Sequence, residues 1–203
     1  MNYLEFAKAL NLFPVFSVKD IQKRFPGFDS RRLVEWQQKG YLLKLKRGYY
    51  CFRERPRSEK FLHFAANKIY SPSYISFESA LSYYNLIPEG VFTITSATTK
   101  NTANYSTPVG HFSYNHIKPS LFFGYKLLKE NDFVIKIAEP EKVILDFFHI
   151  NKINEQEAIE EMRFNQIVAK EIISFEKLKK YQQIFNSKII DNRIRMFTQI
   201  INA

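Results

Sequence analysis

Hydrophobic positions between residues 15 and 52 change period, and the changes mark out elements. Ile21 and Phe25 are four apart and share one helix face, behind Ser17 as a cap with Asp20 as a partial capping-box partner. Pro26 and Gly27 end that helix, and Asp29 is placed to cap the next. On the second helix Leu33 and Trp36 lie together, while Arg31, Glu35 and Gln38 occupy the opposite side. Gly40 stops it. The period then drops to two: Tyr41, Leu43 and Leu45 alternate with Leu42, Lys44 and Lys46. Lys46-Arg47-Gly48 reads as a turn, and Tyr49-Tyr50-Cys51-Phe52 returns as a strand. Upstream, residues 3–13 predict a helix with Leu4, Ala7, Lys8 and Leu12 roughly aligned and Phe6, Leu10 and Phe13 widening its apolar face. It would complete the core of the following two, which have too little to bury alone. Helix, helix and basic hairpin in this order predict a winged helix-turn-helix, a module that reads DNA.

The pattern changes after residue 52. Arg53-Glu54-Arg55-Pro56-Arg57 is polar and broken by proline, so a linker is expected near 53–58, dividing a module at 1–57 from a second domain at 58–203. Residues 59–70 and 78–86 read as helices around an extended Tyr74-Ile75-Ser76. Strand candidates follow at 91–95, 112–114, 121–125 and, most clearly, 133–138; residues 96–110 lack periodicity and suggest a loop or irregular hairpin. Pro140 sits near the first turn of a helix through Val143, Ile144, Phe147 and Phe148, and three more helices can be drawn across 155–169, 174–185 and 190–201. The expected class is α+β: an N-terminal winged helix-turn-helix, then a mixed α/β domain with a helical C-terminal tail.

Charge sharpens this division. The 203 residues carry a formal net charge of +10, and residues 1–60 hold 14 Lys or Arg against 6 Asp or Glu, whereas 61–203 hold 16 against 14. The cationic surface therefore belongs mostly to the first module, as a nucleic-acid binder requires. Hydrophobic residues at 45% and aromatics at 16% exclude a disordered chain. No stretch is long and apolar enough for a membrane span, so no membrane partner is expected. MNYLEFAKALNLF lacks a basic leader followed by an apolar run, so no secretory signal is read, and the expected location is cytoplasmic. The single Cys51 forbids an internal disulfide and reads as a small buried hydrophobe.

Chemistry for catalysis is sparse. His63, His111, His116 and His149 lack metal-site spacing, and there is no Gly-rich phosphate loop, so neither a metal nor a cofactor is expected. Glu139, Glu141 and Asp146 beside Lys142 superficially suggest an acidic nuclease site, but the two glutamates are better read as charges at a helix N-terminus. Ser96, Thr98, Thr99 and Lys100 read as a hydroxyl-rich turn rather than an anion site. The expectation is a protein that is not an enzyme. One alternative is a nuclease or other nucleic-acid enzyme targeted by the winged helix. Another is a structural adaptor, favoured if the second domain covers the wing.

Two stretches carry a family resemblance. LLKLKRGYYCF, together with SPSYISFESALSYYNLIPEGVFTITSATTK, GHFSYNHIKPSLFFGY and IAEPEKVILDFF, resembles the AbiEi family of bacterial antitoxins and transcriptional regulators over roughly the first 150 residues. Tyr74, Ser76, Glu78, Ser79 and Ala80 match its domain signature, as do Thr95, Ala97, Thr98 and Thr99, and Asn85 stands where the family pattern has glycine. The resemblance implies a repressor that binds repeated sites in double-stranded promoter DNA. It also implies an antitoxin opposing an AbiEii-like nucleotidyltransferase toxin, with which it need not form a stable complex. The resemblance places Arg31 and Arg32 on the second helix of the helix-turn-helix and Lys44, Lys46 and Arg47 on the wing, and with Ser30, Gln38 and Lys39 these are the expected DNA contacts. Arg31 and Gln38 are expected at base edges, and the wing cations at phosphate.

Overall fold

Reciprocal caps open the first unit. The structure is a computed structural model and describes residues 2–130 and 133–203. Helix α1 spans Tyr3–Leu10, α2 Val18–Arg24 and α3 Arg31–Gln38. The Ser17 hydroxyl accepts from the Asp20 N–H while the Asp20 carboxylate accepts from the Ser17 N–H, the capping box expected for α2. Strands β1 (Phe16–Ser17), β2 (Leu42–Lys46) and β3 (Tyr49–Phe52) form an antiparallel sheet in the order β1-β3-β2. Phe6, Leu10, Phe16, Ile21, Leu33, Trp36, Leu42 and Tyr50 make one buried cluster between helices and sheet. α1 ends three residues earlier than the periodicity suggests and turns a different face inward. Phe6 and Leu10 are buried, while Leu4 and Leu12 face solvent.

A six-stranded mixed sheet organises the rest. After α4 (Glu59–Ile69) come β4 (Ser73–Ile75), α5 (Phe77–Tyr83), β5 (Thr93–Thr98), β6 (Ala103–Thr107) and β7 (Gly110–His116). A 3-10 turn at Pro119–Leu121 leads to β8 (Tyr125–Glu130), β9 (Phe133–Ala138) and α6 (Pro140–Ile150). The strand order is β6-β7-β5-β4-β9-β8, with β4/β9 and β5/β7 parallel. Registers put Ile75, Ser96 and Tyr114 on one face, where the Tyr114 hydroxyl donates to the Ala66 carbonyl of α4. Tyr74 and Ala97 point to the other face, against α6. Helices α7 (Gln156–Glu160), α8 (Gln166–Ile172), α9 (Phe175–Phe185) and α10 (Lys188–Asn202) close the chain. The class is α+β.

Several elements differ from the periodicity reading. Residues 103–107 form a regular edge strand, because Ala103, Tyr105 and Thr107 are half-buried while Asn104 and Ser106 face solvent. That is a period of two with almost no hydrophobicity to reveal it. Residues 121–125, a strand candidate in sequence, hold the end of the 3-10 turn, an irregular stretch over 122–124 and the first residue of β8, with Gly124 at φ +66° and its missing Cβ leaving room for Lys142 and Tyr181. The tail holds four helices among the described residues, since Arg163 at φ +49° breaks the stretch 155–169. Asn85 adopts φ +55°, a left-handed conformation that asparagine tolerates.

The hydrophobic core does not stop at the linker. Val15, Leu43, Leu45 and Cys51 belong to the same buried cluster as Phe61, Ala65, Ile69 and the sheet residues behind them. The β2–β3 hairpin therefore has two packed faces, one toward its own helices and one toward residues 58–203.

Candidate nucleic-acid interface

Helix α3 is held by its apolar side and turns its polar side to solvent. Leu33 and Trp36 are buried, and Trp36 packs against Phe6 with ring centroids 4.5 Å apart. Ser30 sits at the cap position without a side-chain bond; Asp29 supplies the cap instead, its Oδ1 accepting from the Arg31 N–H at 3.0 Å. The Arg31 guanidinium doubles back onto the same carboxylate at 2.9 Å with its side chain 91% exposed. That guanidinium, by hydrogen bond and charge, holds the Asp29 carboxyl below the usual range. Gln38 is exposed, and Lys39 pairs with Glu35 one turn back at 2.6 Å. Arg32 is half-exposed. Both ion pairs are surface pairs that a phosphate can displace at little cost.

The β2–β3 hairpin divides its cations. Lys44 and Arg47 are exposed and have no hydrogen-bond or ion-pair partner among the described residues. Lys46 departs from the expected phosphate-contact set. Simple alternation would put it on the face of Leu42 and Lys44, but the register skips a residue between Lys44 and Lys46. This β-bulge leaves Lys44 opposite Tyr50 and brings Lys46 opposite Tyr49, on the face of Leu43 and Cys51 that meets the second region. There its ammonium lies 4.6 Å from the Tyr70 ring centroid and 4.4 Å from that of Tyr105, and donates to the Ile69 carbonyl at 3.4 Å. A second tie joins the units where Lys68 of α4 reaches Asp20 of α2 at 3.0 Å. Burial pushes the Asp20 carboxyl up, but the Ser17 N–H and hydroxyl and the Lys68 ammonium outweigh it and hold it low.

Glu139, Glu141 and Asp146, the carboxylates of the alternative nuclease reading, all make internal contacts. Glu139 accepts from the Tyr181 hydroxyl at 2.6 Å and pairs with Lys177 at 3.0 Å; Glu141 accepts from the Ser174 N–H at 2.9 Å. Asp146 is sealed in the core, ion-paired to Lys142 and accepting from the hydroxyls of Tyr74 and Ser76, each at 2.8 Å. Lys142 also donates to the Tyr74 hydroxyl at 2.9 Å and lies 5.1 Å from the ring centroids of Phe123 and Phe185. Burial lowers the Lys142 pKa and Asp146 opposes the shift. This network is the main chemistry the periodicity reading missed. Spacing alone hides it: Val143, Ile144, Leu145, Phe147 and Phe148 cover one side of α6 and leave Lys142 and Asp146 together on the other, where an i,i+4 pair ordinarily faces solvent, and only the packing of the tertiary structure encloses them.

The remaining nucleophile and histidines are similarly placed. Burial pushes the Cys51 thiol up to about 11, which leaves it a packed hydrophobe. Burial pushes His63 down to about 4, and His116 Nδ1 lies 3.0 Å from the Lys100 carbonyl. Among the described residues no three His, Cys, Asp or Glu side chains gather into a metal-holding group, and no helix is long and apolar enough to cross a membrane. The chain matches no protein-family model, and no curated protein aligns with it significantly.

Proposed function

We propose that residues 1–57 form a winged helix-turn-helix that binds double-stranded promoter DNA, and that the chain is a transcriptional repressor acting as the antitoxin of an AbiE-like pair. The observation that carries this reading is the pairing of a solvated helix face bearing Arg31 and Gln38 with a wing whose Lys44 and Arg47 have no internal partner among the described residues. The concentration of positive charge in the first 60 residues supports it, as does the engagement of Glu139, Glu141 and Asp146 in internal contacts. In this reading Arg31 and Gln38 meet base edges, while Lys44 and Arg47 meet phosphate. The second region would support opposition to a nucleotidyltransferase-like toxin without chemistry of its own.

A second reading has its own observation. The covered face of the hairpin, with Leu43, Leu45, Lys46 and Cys51 turned toward residues 58–203, favours a structural adaptor. Titrating the full chain onto duplex from its own promoter and onto random duplex, across a salt series, separates the two. The regulator requires affinity that falls steeply with salt. It also requires Arg31→Ala to weaken the promoter site by about tenfold or more beyond its effect on random duplex. Equal losses on both duplexes move Arg31 to the phosphate contacts. No salt-dependent affinity for either duplex leaves the adaptor.

A further inference from the structure

Between the loop entering β5 and the segment after α7 lies a groove of about 580 Å³ whose lining carries glutamates and no lysine or arginine. Ile87 forms part of its floor at 6% exposure, Val91 and Met162 line it, and Phe92 projects beside it at 93% exposure. A single exposed phenylalanine needs no explanation, but one that borders an apolar groove does. The groove is built in advance of any occupant. Glu89 is ion-paired to Arg163, and the Asn165 N–H donates to the Leu86 carbonyl at 2.9 Å, fastening the loop to the segment that leads into α8.

Its charge is opposite to that of the chain as a whole. Glu78 and Glu161 reach the groove and have no ion-pair partner among the described residues. Of the stretch 155–163, Glu161 and Met162 line the groove, and the lining is acidic on a chain whose net charge is +10. Phosphate is repelled by such a surface, so the groove does not extend the nucleic-acid interface. Its size lies in the range of ligand-binding clefts, and its lining offers an apolar floor with carboxylates around it. We propose that this groove docks a segment of a partner protein in which a large apolar side chain is flanked by lysine or arginine. The anchor would fill the space between Ile87, Val91 and Met162 and pack on Phe92, while the flanking cations meet Glu78 and Glu161.

The experiment pans a random-peptide phage library against the full-length chain, then measures the enriched peptides on variants. The expected result is enrichment of sequences with an apolar anchor between basic residues. Their affinity should fall about tenfold or more with Phe92→Ser and with the Glu78→Gln/Glu161→Gln pair, and should weaken as salt rises. Circular dichroism and duplex binding should stay unchanged in both variants, since Phe92 is exposed and neither glutamate has an ion-pair partner among the described residues. Several results overturn the proposal: no enrichment, enriched sequences without basic residues, or equal affinity for wild type and Phe92→Ser. A concentration-dependent dimer that Phe92→Ser abolishes overturns it too, since the occupant is then a second copy of this chain.

Discussion

Lys46 and Lys142 both rest against tyrosine rings, but in opposite settings. Lys46 sits at the seam between the two units, half-buried between Tyr70 and Tyr105, with one carbonyl to donate to. Lys142 is fully enclosed and needs a countercharge, which Asp146 gives, together with the Tyr74 hydroxyl and the faces of Phe123 and Phe185. At the seam, water remains near enough that the rings act as a weak clamp. In the core, desolvation is large and the charge survives only through a complete set of partners. The same residue type beside aromatic rings is thus an adjustable contact in one place and an obligatory one in the other.

The largest expected effect follows from leaving the enclosed charge unpaired. Asp146→Ala should destabilise the protein by about 3–5 kcal/mol in urea unfolding, because Lys142 keeps its burial and loses its partner. Replacing both, as Lys142→Met with Asp146→Leu, should recover most of that loss. A double variant as unstable as the single would show that the pair does more than satisfy itself.

A third buried base tests the same principle through pH. His63 lies on α4, with Glu59 at 3.7 Å and the Tyr83 ring centroid at 6.0 Å, and burial lowers its pKa from 6.5 to about 4. The unfolded chain therefore binds a proton between those values that the folded chain refuses. This contribution is complete above pH 6.5 and lost as pH falls toward 4, at up to about 1.4 kcal/mol per pH unit. His63→Phe should flatten the pH dependence of stability in that window, relative to wild type.

The seam should respond least. Lys46→Met should cost about 0.5–1 kcal/mol, the range for a partly exposed cation over aromatic faces, and on the proposed DNA-binding function it should leave the salt slope of binding unchanged. Arg47→Ala should do the reverse, leaving the urea midpoint in place and reducing the salt slope by about one phosphate contact. If Lys46→Met lowered the salt slope as Arg47→Ala does, the wing would have to leave the tyrosines when it binds.

What the sequence made legible follows the range of the interactions. Ser17 with Asp20, the shared side of Leu33 and Trp36, and the burial of Cys51 are set by near neighbours, and each lies where its spacing predicts. The side of Lys46 was not legible, because a single bulge reverses an alternation that is otherwise regular. Nor was β6, whose partner β7 supplies the hydrogen bonds while its own side chains are mostly polar. In the candidate interface, residue types were readable and partners were not: the Asp29 and Glu35 carboxylates already engage Arg31 and Lys39. The burial of Lys142 with Asp146 was not legible either, since the two share the polar side of α6 at a spacing typical of a solvated pair.

The core shared across residues 53–58 also has a consequence for synthesis. The first unit leaves the ribosome with Val15, Leu43, Leu45 and Cys51 on an open face, and their covering arrives only with α4 and the strands behind it. Until then that face is a transient sticky surface on a growing chain, the kind of surface that chaperones bind. A protein cut after residue 57 would carry it permanently, so a truncated first unit made alone should need a solubilising substitution such as Leu45→Lys to stay dispersed.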